Sequence, residues 1–242
     1  MSKTRLQDQF FDVSARLMRE AYEDNREVLI QAGRAVAESI EKGGVLHLFG
    51  SGHSAMVALE LIGRAGGLVP VTGVLDPTGG MAETLPGYGT RVLSAHASRF
   101  GMNAGEYIVV VSNSGRNASP VEVAMEAKKR GVGVIAVTSL DVSKAGKPPA
   151  GLAQKLYEVA DFVLDNKGVH GDAAVEYQDN QKVGPTSTLT GCLLLNLLML
   201  ETLEVLKEKG VEAPLLKSQS IEGALEANEK LKARYRPRLS RL

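Results

Sequence analysis

Apolar positions recur along this chain with two different periods. Leu6, Phe10, Val13 and Leu17 fall on one helical face, as do Val28, Ala32, Val36 and Ile40. This predicts a long or broken amphipathic helix over residues 3–42, stopped by Gly43-Gly44. The period then shortens. Val45-Leu46-His47-Leu48-Phe49 is a brief apolar run ending at glycine, the pattern of a strand buried on both faces. Similar runs at residues 68–75, 107–111, 132–137 and 161–164 predict four more strands. Helical patterns lie between them at 55–64, 119–130 and 152–159. Ser119, Pro120 and Glu122 read as cap, first turn and capping box of the second of these helices, and Gly131 as its stop. Gly184-Pro185 opens a Leu-rich helix running to Lys209, and a last helix is expected over residues 221–234. Residues 76–105 show no clear period. A stretch of that length after a strand suggests a lid or a substrate wall.

Strands alternating with helices imply an α/β fold with parallel pairing and right-handed crossovers. Composition removes several function classes. The 242 residues carry 28 basic and 28 acidic side chains, so no general affinity for nucleic acid or an anionic membrane is expected. Only the stretch from Lys230 to Arg241 is basic, which reads as a solvated tail or one folded against a partner subunit. The apolar run at residues 189–200 is too short to cross a bilayer and reads as a buried helix. The single cysteine, Cys192, excludes an internal disulfide, and the first residues lack the apolar core of a signal peptide. A cytoplasmic location is the expectation.

Two strand-to-helix loops carry the chemistry. The first is Gly50-Ser51-Gly52-His53-Ser54; the second is Ser112-Asn113-Ser114-Gly115-Arg116-Asn117. Glycines let backbone N–H groups turn toward a ligand, serine and asparagine add neutral donors, and a helix N-terminus adds positive potential. In a sheet of order 2-1-3-4-5, strands one and three flank the switch point, so both loops converge on one crevice suited to a tetrahedral anion. Gly50, Gly52 and Ala55 also satisfy the dinucleotide fingerprint, with Asp76 as the ribose acid, but that reading gives the second loop no role. No P-loop motif occurs. The four histidines have no metal-ligand spacing, and neither metal nor cofactor is expected.

These loops, with Gly105-Glu106-Tyr107 leading into the second, resemble the signature of sugar isomerase (SIS) domains. The Gly184-Pro185-Thr186-Ser187-Thr188 segment is similar to one in arabinose-5-phosphate isomerases. The likeness spans about residues 30–210 and is strongest to stand-alone SIS proteins of unassigned function that carry a phosphoheptose isomerase label. It implies one domain over residues 1–242. The fold would be a three-layer α/β/α sandwich around five parallel strands, with an N-terminal helix and C-terminal helices over about 185–235. By position it implies Ser54, Ser112, Ser114 and Asn117 as phosphate ligands; phosphoheptose isomerases tend to have serine at the last. Their catalytic glutamate falls on Arg64 here, which cannot serve as a base.

Isomerisation of a sugar phosphate needs a base and a proton donor. Glu83 follows strand two; His170, Asp172 and Glu176 follow strand five. Glu176 is favoured as base and His170 as ring-opening acid or base, with Glu83 a further candidate. His53 is placed to touch the sugar, His47 to sit in the core, and His96 to reach a site across a subunit interface. A non-catalytic sugar-phosphate sensor and a lyase or etherase acting on an amino-sugar phosphate share the same features, and phosphate is not distinguished from sulfonate. The two Leu-bearing helices at the termini offer more apolar surface than one sheet needs. A dimer or tetramer is therefore expected, with the site completed by a partner subunit.

Overall fold

The computed structural model describes residues 5–240, so the expected helix start at residue 3 and the end of the basic tail at Arg241 lie outside the described residues. Helix α1 (Leu6–Glu41) leads into β1 (Leu46–Gly50), α2 (Ser54–Leu59) and β2 (Val71–Val74). Then come α3 (Tyr88–Phe100), β3 (Tyr107–Val111), α4 (Ala118–Lys129), β4 (Gly133–Thr138), α5 (Leu140–Ala145), α6 (Leu156–Val159) and β5 (Phe162–Asp165). A hairpin of β6 (Ala173–Glu176) and β7 (Lys182–Pro185) precedes α7 (Ser187–Glu208) and α8 (Ala224–Tyr235). The main sheet has the order β2-β1-β3-β4-β5, parallel throughout.

Strand alternation sorts the core into two layers. Leu46, Leu48, Val109, Val111, Ile135 and Val137 pack with α1, α2 and α7. Phe49, Ile108, Val110, Val134 and Ala136 point the other way, onto Leu93 of α3, Val121 and Ala124 of α4 and Leu156 of α6. Both faces are covered, which is why these strands read as continuous apolar runs. Helix α7 has the length and composition to cross a membrane. Leu194, Leu195, Leu198 and Leu206 are nevertheless buried against the sheet layer and α1.

Four expectations need correction. The aperiodic stretch 76–105 contains a helix, α3, whose start is held by another element. The Glu122 carboxylate accepts from Gly87 N–H at 2.5 Å and Gly89 N–H at 2.9 Å. Glu122 therefore caps α3 rather than boxing its own helix, whose N-cap residue is Asn117. The hairpin β6–β7 has no counterpart among the expected elements, because it is short and carries exposed charges; its turn has Asp179 and Asn180 at positive φ. The C-terminal tail is not a solvated arm. Arg238 donates to both Glu106 oxygens at 2.8 Å, and Ser240 bonds Thr72 and Gly73 of edge strand β2.

Candidate functional site

Strands β1 and β3 pair with Gly50 opposite Val111, so the two Ser/Gly loops leave the sheet side by side at the same level. Between them opens a crevice of about 370 Å³. Ser51, Gly52, His53 and Ser54 line one wall; Ser112, Asn113, Ser114 and Asn117 line the other. Asn166 after β5, Asp172, and Ser187 and Thr188 at the start of α7 close the third side, and Glu83 the fourth. No lysine or arginine is among the lining residues.

The first loop is braced from β2. Asp76 accepts from Ser51 Oγ at 2.8 Å, Thr78 N–H at 2.9 Å, Thr78 Oγ1 at 2.7 Å, Gly80 N–H at 2.9 Å and Tyr88 OH at 2.6 Å. Burial pushes the Asp76 carboxyl up, but the donors from Tyr88, Thr78 and Ser51 outweigh it and hold its pKa below the ordinary value. A carboxylate so engaged has no capacity left for a ribose, which removes the main support of the dinucleotide reading. It also commits the Ser51 proton, so Ser51 positions the loop rather than donating to a ligand. Helix α2 has only six residues, so its dipole adds little to this wall.

The second loop is shaped by Gly115 at φ +60°. A Cβ there would lie 2.8 Å from both Ser143 Oγ and Thr138 Oγ1. Gly115 N–H donates to the Ser112 carbonyl at 3.1 Å and to Ser112 Oγ at 3.2 Å, and Arg116 N–H donates to Ser114 Oγ at 3.4 Å. Both serine hydroxyls thus accept from the loop and keep their protons for a ligand. Asn113 Oδ1 accepts from Asn166 Nδ2 at 3.1 Å, which turns the Asn113 amide donor outward. Twelve-residue α4 begins directly behind this loop.

The proposed acid–base residues separate. Glu83 lines the crevice; its carbonyl accepts from Ser119 N–H at 2.8 Å, and its carboxylate has no donor among the described residues. Glu176 sits on β6 with its side chain 69% exposed and ion-paired to Lys182 at 3.2 Å, outside the crevice. His170 is exposed in the loop before that hairpin and does not line the crevice either. Arg116 folds away over Gly146 and contributes only its backbone to the loop. Arg64 lies beyond the end of α2, exposed and paired with Glu60. His96 is buried against His47 rather than presented to a subunit interface.

Sequence reasoning named Asp172 and the Thr186-Ser187-Thr188 segment but gave neither a place in the crevice, and it missed Asn166. Asp172, at φ +64°, accepts from Ser187 N–H and Ser187 Oγ, both at 2.9 Å, and from Thr186 N–H at 3.3 Å. It caps α7 from fourteen residues upstream and presents Ser187 and Thr188 to the crevice. The signal was the Thr-Ser-Thr run after Gly184-Pro185, at the start of a long helix. Among the described residues, no group of three or more His, Cys, Asp or Glu side chains could hold a metal ion.

Comparison with known proteins agrees with this architecture. The UPF0309 protein lmo0025 of Listeria monocytogenes is 38% identical over 234 residues, covering 96% of this chain and 98% of the relative. The UPF0309 protein of Geobacillus thermodenitrificans is 34% identical, covering 96% of each chain. Among solved structures, a phosphoheptose isomerase from Francisella tularensis superposes with a TM-score of 0.56 at 15% identity, covering 81% of this chain and 96% of that one. The phosphoheptose isomerase GmhA from Neisseria gonorrhoeae superposes with a TM-score of 0.51 at 20% identity, covering 79% and 94%. At such identities these two show a common fold. A family model for the SIS domain matches residues 9–139, more than half of the sequence, and with the close UPF0309 relatives it makes this chain a member of the SIS-domain family.

Proposed function

We propose that this protein binds a sugar phosphate in the crevice between the two Ser/Gly loops and interconverts its aldose and ketose forms. The observation that carries the reading is the convergence of uncommitted donors. The hydroxyls of Ser112 and Ser114, the Asn113 amide and the backbone N–H groups of residues 113 and 114, which have no backbone acceptor among the described residues, face one space. The phosphate is held by neutral donors in fixed orientations, so binding needs no lysine or arginine. The SIS-domain match and the two phosphoheptose isomerase neighbours support a phosphorylated sugar as the ligand class.

Glu83 is the crevice carboxylate free of other duties and acts as the base that moves the proton between C1 and C2. Asp172 accepts three hydrogen bonds from Thr186 and Ser187 and holds the start of α7 in place. His53, at the mouth of the first loop, exchanges a proton with the sugar oxygen. The protein works in the cytoplasm as a homo-oligomer. Phe11, Tyr22 and Ile30 of α1 and Leu200 of α7 leave apolar surface exposed for a second copy. In that assembly His170 and Glu176, exposed on and beside the hairpin, serve a neighbouring crevice or none.

The test pairs binding with turnover. Pentose, hexose, heptose and amino-sugar phosphates are screened by thermal shift beside their free sugars, and the stabilising ligand is followed by 13C NMR for aldose–ketose exchange. Ser112→Ala with Ser114→Ala abolishes the stabilisation, and Glu83→Gln keeps it but loses exchange. Stabilisation by no phosphorylated sugar sinks the binding assignment. Stabilisation without exchange in the unaltered protein leaves a sensor and sinks the isomerase.

A further inference from the structure

A second cavity, of about 450 Å³, lies at the β2 edge of the sheet, between β2 and α3, and shares no lining residue with the crevice. One face of α3 forms its wall: Arg91, Val92, Ala95, His96, Arg99 and Phe100, at helical spacing. Leu75 adds apolar surface from the end of β2, and Ser240 closes the side facing the C-terminal tail.

Its polar groups have a fixed arrangement. Glu106 accepts from Val45 N–H, Asn103 N–H and Arg238, so it is an ionised acceptor and His47 must donate to it from Nε2, at 3.1 Å. His47 Nδ1 lies 3.2 Å from His96 Nε2, and these two ring nitrogens share one hydrogen bond. His96 Nδ1 has no partner among the described residues, on a ring that lines the cavity. Burial first, then His47 and Arg238, depress the His96 pKa to about 4 and keep this ring neutral. Arg91 and Arg99 are exposed and have no carboxylate partner among the described residues; the Arg99 guanidinium sits 5.2 Å from the Phe100 ring centroid.

We propose that this cavity is a second ligand site, which takes a small hydroxylated carboxylic acid with an apolar body. Arg91 and Arg99 supply the positive charge that draws the carboxylate, Leu75, Val92 and Phe100 enclose the body, and His96 Nδ1 hydrogen-bonds the hydroxyl. A sugar phosphate suits the cavity poorly, because its ring hydroxyls would be left unpaired against apolar walls. A cation is disfavoured by the two arginines.

The histidines make the test self-contained. His53 lines the crevice, His96 lines this cavity, His47 lies behind it and His170 is remote in the exposed loop. In the full chain without an affinity tag, 15N-labelled histidine side chains are followed by NMR while 4-hydroxybenzoate is added. Saturable shifts of His96 and His47, with His53 and His170 unmoved, are expected. The neutral 4-hydroxybenzamide and the Arg91→Ala, Arg99→Ala double variant each weaken binding at least about tenfold. Both arginines are exposed, so the variant should keep the native His47 signals; Ala95→Phe, which fills the cavity, gives an independent loss. No His96 shift at about 10 mM probe, shifts centred on His53, or affinity unaltered by removing the arginines would each overturn the proposal.

Discussion

Acid should weaken this fold in a window set by one buried histidine. His96 packs against His47 and the Phe100 ring, with Arg238 contributing to its field, and its pKa falls from 6.5 to about 4, chiefly through burial. Between those two values the unfolded chain carries a proton on this residue that the folded chain does not. Stability therefore rises with pH across the window and is lost as pH falls from about 6.5 to about 4, with no further loss from this group below that. A difference of about 2.5 pKa units corresponds to about 3 kcal/mol, a sizeable share of the roughly 5–15 kcal/mol typical of a domain. His96→Gln is the reference, since its amide can still hydrogen-bond His47 Nδ1 but does not titrate. Urea unfolding of both proteins at several pH values from 7 to 4 gives the difference free of other groups. That difference should shrink by about 3 kcal/mol toward acid, with m-values unaltered. A constant difference, or one that grows toward acid, would refute the assignment of a buried neutral His96.

Two further outcomes test the scaffold around the crevice and the tail. Gly115→Ala forces a Cβ into a left-handed position against Ser143 and Thr138, and should cost about 1–3 kcal/mol in thermal unfolding while also weakening sugar-phosphate binding; a variant equal to the parent in both would show that the loop geometry is not required. Arg238→Ala removes two donors from a Glu106 carboxylate that is only 3% exposed, and should cost about 3 kcal/mol and free the tail for limited proteolysis; a loss below about 0.5 kcal/mol would mean that the tail is not anchored there.

The strand order was legible because β1 to β4 are almost wholly buried and because each is followed by a helix before the next strand. Alternation does the rest: His47 sits in the apolar run of β1, facing the side opposite to Leu46 and Leu48, and finds Glu106 rather than water. What was not legible depends on contacts distant in sequence. Glu122 looked like the box residue of its own helix, since Ser119 stands three positions before it; it caps α3 because Gly89 brings the two helices into backbone contact. Helix α3 hid for a related reason. Its buried positions are Gly89, Leu93 and His96, which do not read as an apolar stripe. The tail read as basic and therefore solvated, yet one arginine of that run completes a buried carboxylate.

The same distinction explains the uneven reading of the crevice. Residues that bind through backbone geometry announce themselves locally, because glycine and small hydroxyl side chains must stand where the chain turns, and both anion loops were found in this way. Acid–base residues carry no such local mark; an isolated Glu or His in a loop is chosen only by what the fold brings beside it. His170 and Glu176 had the more suggestive neighbourhood in sequence, but the hairpin turns Glu176 to Lys182 and leaves His170 in solvent. Glu83 stood in a stretch without pattern, and its place comes from the Asp76 hub. By collecting Ser51, Thr78, Gly80 and Tyr88, Asp76 folds the chain after β2 back over the first loop and sets Glu83 against Ser119 at the start of α4. Asp76 thus braces the loop and its turn together. A change at this carboxylate should disturb ligand binding and the position of the proposed base at once, whereas a change at Ser112 or Ser114 should disturb binding alone.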